Sequence, residues 1–317
     1  MSSIRVLSPG ALTTIQDRGR YGYQSSGIRP CGAMDLDAYE TAVRLAGGGD
    51  AVLEMTMLGV TVEFQSRMIF ALTGADMPAT LDGLPVPRYK RMGACPGQVL
   101  KVGAATNGCR GYLAFYGGIQ VPKVMGSRST DMKCHIGGME GRPVKAGDLL
   151  EAAEPDEKTF SSLLAEDLTA DEVKYSSDIE VRVIPGPQDE AFTEKGWNDF
   201  LSSSYEITPD SDRMGLRLAG LPIESKAGTD IVSDGIVFGS IQVTAAGNPI
   251  VLMADHQTTG GYAKIATVLS LDLPMLAQAR PGDKVRFRKI SVEDAQKLHE
   301  GPSFFAKLMK QFQRMFG

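Results

Sequence analysis

The sequence predicts a mainly β protein with a few helices, built as two barrel-like or sandwich-like bodies in tandem. Three observations carry that reading. From Ile69 to Gly118, β-rich runs (Ile69 to Thr73, Val86 to Met92, Val99 to Val102, Tyr112 to Tyr116) alternate with the turn signals Asp82-Gly83, Pro96-Gly97 and Asn107-Gly108. Asp-Gly and Asn-Gly are hairpin signals, and short strands spaced ~8–12 residues apart are the rhythm of all-β barrels and sandwiches. The second half repeats the style with Ile179 to Ile184, Ile241 to Val243, Ile250 to Met253, Ile265 to Leu269 and Val285 to Phe287. A turn-plus-strand phrase also recurs as Pro96-Gly97-Gln98-Val99-Leu100, Ala146-Gly147-Asp148-Leu149-Leu150 and Pro281-Gly282-Asp283-Lys284-Val285, which fits one barrel-like unit used more than once. At 317 residues the chain is roughly twice a usual domain.

Helical patterns are fewer. Met34-Asp35 through Ala46 places Leu36, Ala38, Tyr39, Ala42, Val43 and Leu45 on an apolar stripe, and Gln188 to Leu201 holds a second candidate. Residues 151–177, rich in Glu, Asp, Ser and Ala, read as a linker with one short helix. The expected organisation is therefore an N-terminal domain over 1–175, a C-terminal domain over 178–292 and an amphipathic helix over 293–317. In that tail Phe304, Phe305, Leu308, Met309, Phe312, Met315 and Phe316 recur at helical spacing, interleaved with Lys307, Lys310 and Arg314. Such a helix suits docking on its own body, a partner or a membrane surface.

Composition excludes several classes. Net charge is 33 − 38 = −5 with no basic block outside the C-terminus, which argues against nucleic acid. Cys31, Cys95, Cys109 and Cys134 form no C-x-x-C pair and are expected as reduced thiols in a cytoplasmic protein. No stretch approaches the ~18 apolar residues that cross a bilayer, and Met1 to Val6 has no apolar signal core. G-x-x-x-x-G-K-[ST], H-E-x-x-H and G-x-S-x-G are all absent, and three dispersed histidines (His135, His256, His299) signal no metal centre. Met132-Lys133-Cys134 lacks the flanks and carrier domain of a biotin-acceptor lysine, so any biotin must arrive on another chain.

The densest chemistry lies in Asp255-His256-Gln257-Thr258-Thr259-Gly260-Gly261-Tyr262-Ala263-Lys264, read as a loop between two apolar strands. A glycine pair lets backbone N–H groups approach a ligand, while Thr and Gln offer hydrogen bonds of both signs. That suits a small polar substrate; the alternative is a polar hairpin satisfying its own backbone. Around it we place Asp76, Arg128, Asp131, Arg213, Ser233 and Asp234. Arg128 and Arg213 can clamp a carboxylate or phosphate, Lys264 supplies a point charge, and Asp131 or Asp234 could serve as base. Gln257, Thr258, Thr259, Gly260, Gly261 and Tyr262 would form an oxyanion-stabilising set. For the Arg–Asp sets, Arg217 with Asp212 included, structural ion pairing between loops is the competing reading. The turn Gly126-Ser127-Arg128-Ser129-Thr130-Asp131 suits an anion, or satisfies itself.

The same segments carry a resemblance. Ser211 to Leu218 (Ser-Asp-Arg-Met-Gly-Leu-Arg-Leu), Ser233-Asp234-Gly235-Ile236, Gly126 to Asp131, Thr73-Gly74-Ala75-Asp76, Leu7-Ser8-Pro9-Gly10 and Thr14-Ile15-Gln16-Asp17 stand in the order expected of one family, variously called allophanate hydrolase subunit 2, biotin-dependent carboxyltransferase or the C subunit of 5-oxoprolinase. The chain resembles it from about Ile4 to about Ser291. The resemblance implies two cyclophilin-like β-barrels facing one another. It implies one part of a multi-chain enzyme: a 5-oxoprolinase C subunit that, with the A and B subunits and ATP, activates the 5-oxoproline lactam for hydrolysis to glutamate. It also admits a urea-type carboxyltransferase fed by carboxybiotin, and a non-catalytic regulator that antagonises a kinase inhibitor. Both chemistries polarise a planar amide or ureide oxygen.

Overall fold

The structure is a computed structural model and describes residues 2–300. The N-terminal half contains β1 (Ser2–Ser8), β2 (Leu12–Gln16), α1 (Leu36–Ala46), β3 (Val52–Thr56), β4 (Thr61–Phe64), β5 (Met68–Asp76), β6 (Ala79–Leu81), β7 (Leu84–Val86), β8 (Arg91–Ala94), β9 (Val99–Val102), β10 (Asn107–Phe115), β11 (Leu149–Ala152) and α2 (Glu157–Ala165). The C-terminal half contains β12 (Asp178–Pro185), α3 (Glu194–Ser202), β13 (Tyr205–Ile207), β14 (Gly215–Ala219), β15 (Asp230–Gly235), β16 (Ser240–Val243), β17 (Pro249–Leu252), β18 (Thr259–Tyr262), β19 (Lys264–Val268), α4 (Leu273–Ala277), β20 (Lys284–Lys289) and α5 (Val292–Glu300). The mainly β class read from the sequence is the observed one. Residues 301–317, and with them most of the tail helix expected from the sequence, lie outside the described residues.

In the first half a six-stranded sheet (β11-β1-β4-β9-β6-β7) faces a five-stranded one (β2-β3-β10-β5-β8). Phe64, Phe70 and Phe115 fill the space between them, with ring centroids 5.4 Å apart for the stacked pair and 6.3 Å for the edge-on pair. The second half closes fully into a barrel, β12-β19-β16-β17-β14-β13-β20. Parallel pairing of β12 with β20 completes the ring, which leaves the barrel no free edge.

Local chemistry sets these elements. Asp82 and Gly83 both take positive φ and join β6 to β7 as a two-residue hairpin, as their sequence predicts. The recurring phrase is one turn used three times: Gly97, Gly147 and Gly282 sit at φ 84°, 90° and 92° just before β9, β11 and β20. Asn107-Gly108 departs from expectation, because it opens β10 instead of turning a hairpin. The Asn107 amide is tied by two hydrogen bonds to the backbone of Tyr175, so its signal is spent on a distant contact. Asp35 caps α1 by accepting from the Ala38 N–H at 2.9 Å, and Gly47 ends it in the left-handed conformation. Ala38, Tyr39, Ala42 and Leu45 pack that helix on Val52, Ala71, Tyr112 and Ala114 of the five-stranded sheet.

The halves meet at a polar seam. Met34 projects from the N-terminal half into the C-terminal core. Gln278 accepts from the backbone N–H groups of Cys109 and Arg110, and donates to the Arg110 carbonyl and to Asp35, so one side chain mimics a strand neighbour for β10. Among the described residues no helix is long and apolar enough to cross a membrane.

Candidate active site

Most of the expected site residues sort into a buried set and a more exposed set. Arg213 precedes β14 and is buried. Its guanidinium donates twice to Asp255 (3.0 and 2.9 Å), to the Gly32 carbonyl (2.7 Å) and to Glu54. Burial alone would disfavour its charge, but Asp255 and Glu54 outweigh that and hold it well above the usual arginine range. Glu54 in turn accepts from the Tyr112 hydroxyl and the Met34 N–H, both at 2.9 Å. A second arginine, Arg29, donates to the Asp255 carbonyl at 3.1 Å and forks onto Asp131. Asp131 also accepts from the N–H groups of Lys133 and Cys134; against its burial, Arg29 and Cys134 keep its pKa lowered. The result is a buried ladder, Asp131–Arg29–Asp255–Arg213–Glu54–Tyr112, crossing between halves, with a third arginine, Arg110, 3.9 Å from Glu54 so that three guanidiniums answer three carboxylates.

Only the first part of the expected substrate loop, 255–258, is irregular; the rest is mostly strand. Thr259–Tyr262 (β18) pairs antiparallel with β15, with Asp234 opposite Gly260 and Gly235 opposite Thr259. The glycine pair disguised it, since Gly-Gly carries low strand propensity. Gly260 is there for close packing: a Cβ would lie 2.5 Å from Gln242 Nε2 and 2.6 Å from Ile236 Cδ1. Gly261 is not crowded, its nearest neighbour being the Ile231 carbonyl at 3.6 Å. Gln257, Thr259, Tyr262 and Ser233 lie on the outer surface of this ribbon, with Thr258 half-buried.

At the ribbon's base, Lys264 is almost wholly buried while its ammonium reaches Asp234 at 2.7 Å and the Gly235 carbonyl at 2.9 Å. Lys264, Gln188 and the Gly235 N–H depress the Asp234 carboxyl to about 2, although its side chain is 51% exposed. A lysine has three donors, so one N–H is left after these two bonds. Asp234 is thus a persistent carboxylate, too acidic for an efficient base at neutral pH. Arg213 and Lys264 have separate partner sets.

Two other expected residues lie elsewhere. Asp76, at the end of β5, pairs with Arg88 at 3.2 Å and accepts from Thr106. Arg128 is held by Asp50, the Val121 carbonyl and Gln120. The turn Gly126 to Asp131 does bind an anion, but that anion is the chain's own Asp17, which accepts from the Ser127 and Ser129 hydroxyls and from the N–H groups of Arg128 and Gly19. Neither Asp76 nor the Arg128 side chain reaches the ladder or the ribbon through a hydrogen bond or ion pair among the described residues.

A cavity of about 100 Å³ lies between the halves, lined by Tyr21, Pro30 and Cys31 from one and Ile236, Phe238 and His256 from the other. His256 binds the Gln257 carbonyl through Nδ1 at 2.7 Å, and burial lowers its pKa, so the imidazole is neutral. Burial pushes the Cys31 thiol far up, which makes it inert as a nucleophile. At that size the cavity is well below the ~300–1,000 Å³ of drug-sized sites.

Sequence reasoning passed over Arg29, Glu54 and the carboxyl of Asp35, and gave Asp255 no role of its own. Glu54 carried a signal, a lone carboxylate inside the apolar run Val52-Leu53-Glu54-Met55, which a buried strand tolerates only with a partner. Asp35 is buried with its carboxyl pushed up to about 6, chiefly by burial and despite its bonds to the Ala38 N–H and Gln278. It is the carboxyl whose pKa stands nearest neutrality among the described residues with a resolved shift.

Two β bodies, one of two facing sheets and one a closed barrel, thus meet across buried ion pairs with a small cavity between them. The family described as carboxyltransferase domain, subdomain A and B, matches residues 26–289, and the chain belongs to it. Among its relatives, the 5-oxoprolinase C subunit of Haemophilus influenzae is 39% identical over 93% of this chain and 94% of its own length, and that of Escherichia coli 38% over 94% of both. Urea amidolyase of Saccharomyces cerevisiae is 30% identical over 94% of this chain, which spans 17% of that protein. In solved structures, urea carboxylase of Kluyveromyces lactis superposes with a TM-score of 0.85 at 29% identity, over 94% of this chain and 28% of that one.

Proposed function

We propose that this chain is the C subunit of a 5-oxoprolinase, acting with the A and B subunits in the cytoplasm to activate the lactam of 5-oxoproline for ATP-dependent hydrolysis. The observation that carries the reading is the degree of identity: the two 5-oxoprolinase C subunits are 39% and 38% identical over 93% and 94% of this chain, whereas the urea amidolyase of Saccharomyces cerevisiae is 30% identical over 94% of it. Lys264 supports it chemically. Its remaining N–H, fixed by Asp234 and Gly235 at the edge of the ribbon, is a preorganised donor for an amide oxygen as that oxygen gains charge. The Tyr262 hydroxyl and the Thr258 and Thr259 hydroxyls would complete the donor set, with Gln257, Ser233 and the Gly260–Gly261 backbone shaping the approach.

The nucleotide belongs to a partner in this reading, because the turn built to hold an anion, Gly126 to Asp131, is filled by Asp17. The second reading is carboxyl transfer from biotin carried on another chain, favoured by the close superposition on urea carboxylase. Purifying the chain with its co-eluting partners and measuring ADP release separates the two. Release with 5-oxoproline supports the first, release with urea and bicarbonate the second, and release by the isolated chain contradicts both.

A further inference from the structure

Where α1, the segment 171–180 and α4 converge, an apolar groove of about 350 Å³ runs along the outside of the seam. Val173, Leu271 and Met275 line it and are 49%, 46% and 39% exposed, with buried Ile179 among the other lining residues. Three large apolar side chains left open in one concave surface mark a contact site. Its charge is one-sided: Asp35, Asp37, Asp171, Asp178 and Glu180 line it against the single cation of Lys174. Asp178 and Glu180 are answered by Arg286 and Arg288 at 3.0 and 3.1 Å, and Asp35 is buried and satisfied. Asp37 and Asp171 have no cationic partner among the described residues. The groove therefore asks for an occupant that is apolar on one face and basic on the other.

The sequence supplies one at the right place. His299 of α5 meets the Ser270 hydroxyl at 2.8 Å, immediately before the groove residue Leu271, so the described chain ends beside the groove. The next 17 residues, 301–317, carry Lys307, Lys310 and Arg314 with no acidic residue, and seven large apolar side chains from Phe304 to Phe316. Seventeen residues span roughly 25 Å even when coiled as a helix. We propose that residues 301–317 of this chain seat Phe304, Leu308 and Phe312 in the groove, with Lys307 and Lys310 toward Asp37 and Asp171, strapping the two halves across their seam. Because Ala38 and Thr41 come from one half and Leu271 and Met275 from the other, the strap holds both bodies at once.

The test uses the full chain with a photoreactive phenylalanine analogue at position 312, irradiated alone and with vesicles of equal parts phosphatidylcholine and phosphatidylglycerol. The expected result is an intrachain cross-link to 171–180 or 271–275, undiminished by vesicles. Links elsewhere on the body, links between two copies, loss of the link on vesicles, or no link at all would overturn the proposal. Paired Asp37→Lys and Asp171→Lys substitutions should cut the yield at least fivefold at low salt, and Lys307→Glu with Lys310→Glu should restore it. An unchanged yield, or a loss that the tail changes fail to reverse, also counts against the strap.

Discussion

The ladder and the ribbon are made from the same residue types and sit on the same chain, yet water treats them differently. Arg213 is enclosed by Asp255, Glu54 and the Gly32 carbonyl, so its charge is fully spent inside the protein. Lys264 has a buried ammonium whose carboxylate partner, Asp234, stands half in solvent. A buried and completed pair specifies how two bodies fit; a pair with one foot in water and one donor left can still meet a ligand. Sequence motifs alone do not separate these cases, because both read as Arg or Lys near Asp.

The sharpest way to break that contrast is Arg213→Met. Removing the cation leaves the buried Asp255 carboxylate without its guanidinium fork and Glu54 with Arg110, 3.9 Å away, as its remaining cation, a loss of about 3–5 kcal/mol by the usual cost of halving a buried pair. Urea denaturation should show it as a large drop in midpoint. A variant that keeps its stability and loses only activity would move Arg213 from the frame into the site. The next effect in size falls on the ribbon. Lys264→Met should lower turnover of the assembled enzyme about 10²–10³-fold, the cost of one oxyanion donor, with little change in melting because Asp234 returns to water. Unaltered turnover would end its role as a donor.

Asp35 sharpens the comparison through pH. Its folded pKa of about 6 lies above the ordinary carboxyl value of 3.8, so the native state binds the proton more tightly. Stability from this group is complete below about pH 4 and declines as pH rises through 6, by about 3 kcal/mol at most for a shift of that size. Asp35→Asn keeps the cap on α1 and should flatten the decline between about pH 4 and 6.5 in denaturant titrations. A slope that survives the substitution assigns the effect to another group.

Much of the fold is legible in the sequence because its signals are local. Asp82-Gly83, the cap at Asp35 and the thrice-used Gly turn each depend on a few neighbouring residues. The ladder is not legible, since Glu54, Arg213 and Asp255 are separated by up to 201 positions, 255 − 54, and meet only when both halves have folded. The turn at Ser127 to Ser129 shows its anion-holding chemistry in the sequence but not its occupant, because Asp17 lies over 100 residues upstream. β18 is hidden by its glycines, and the reason for Gly260 is a side chain on another strand, Gln242.

That last point yields the smallest predicted effect. Gly260 and Gly261 are adjacent in sequence and neither needs a left-handed backbone, so they differ only in what lies where a methyl would go. At Gly260 the methyl would meet Gln242 Nε2, which also donates to the Tyr262 carbonyl at 3.2 Å, and Ile236 Cδ1. Moving either disturbs the ribbon's attachment to the barrel, so Gly260→Ala should cost about 1–3 kcal/mol, as overpacking does. At Gly261 the methyl finds ordinary contact distances, and Gly261→Ala should fall within about 0.5 kcal/mol of the parent. Thermal melts of the two variants decide it. Equal destabilisation would mean that the ribbon is held by backbone freedom and not by the packing at Gln242, and the ribbon would then be a poor platform for the donor set built on it.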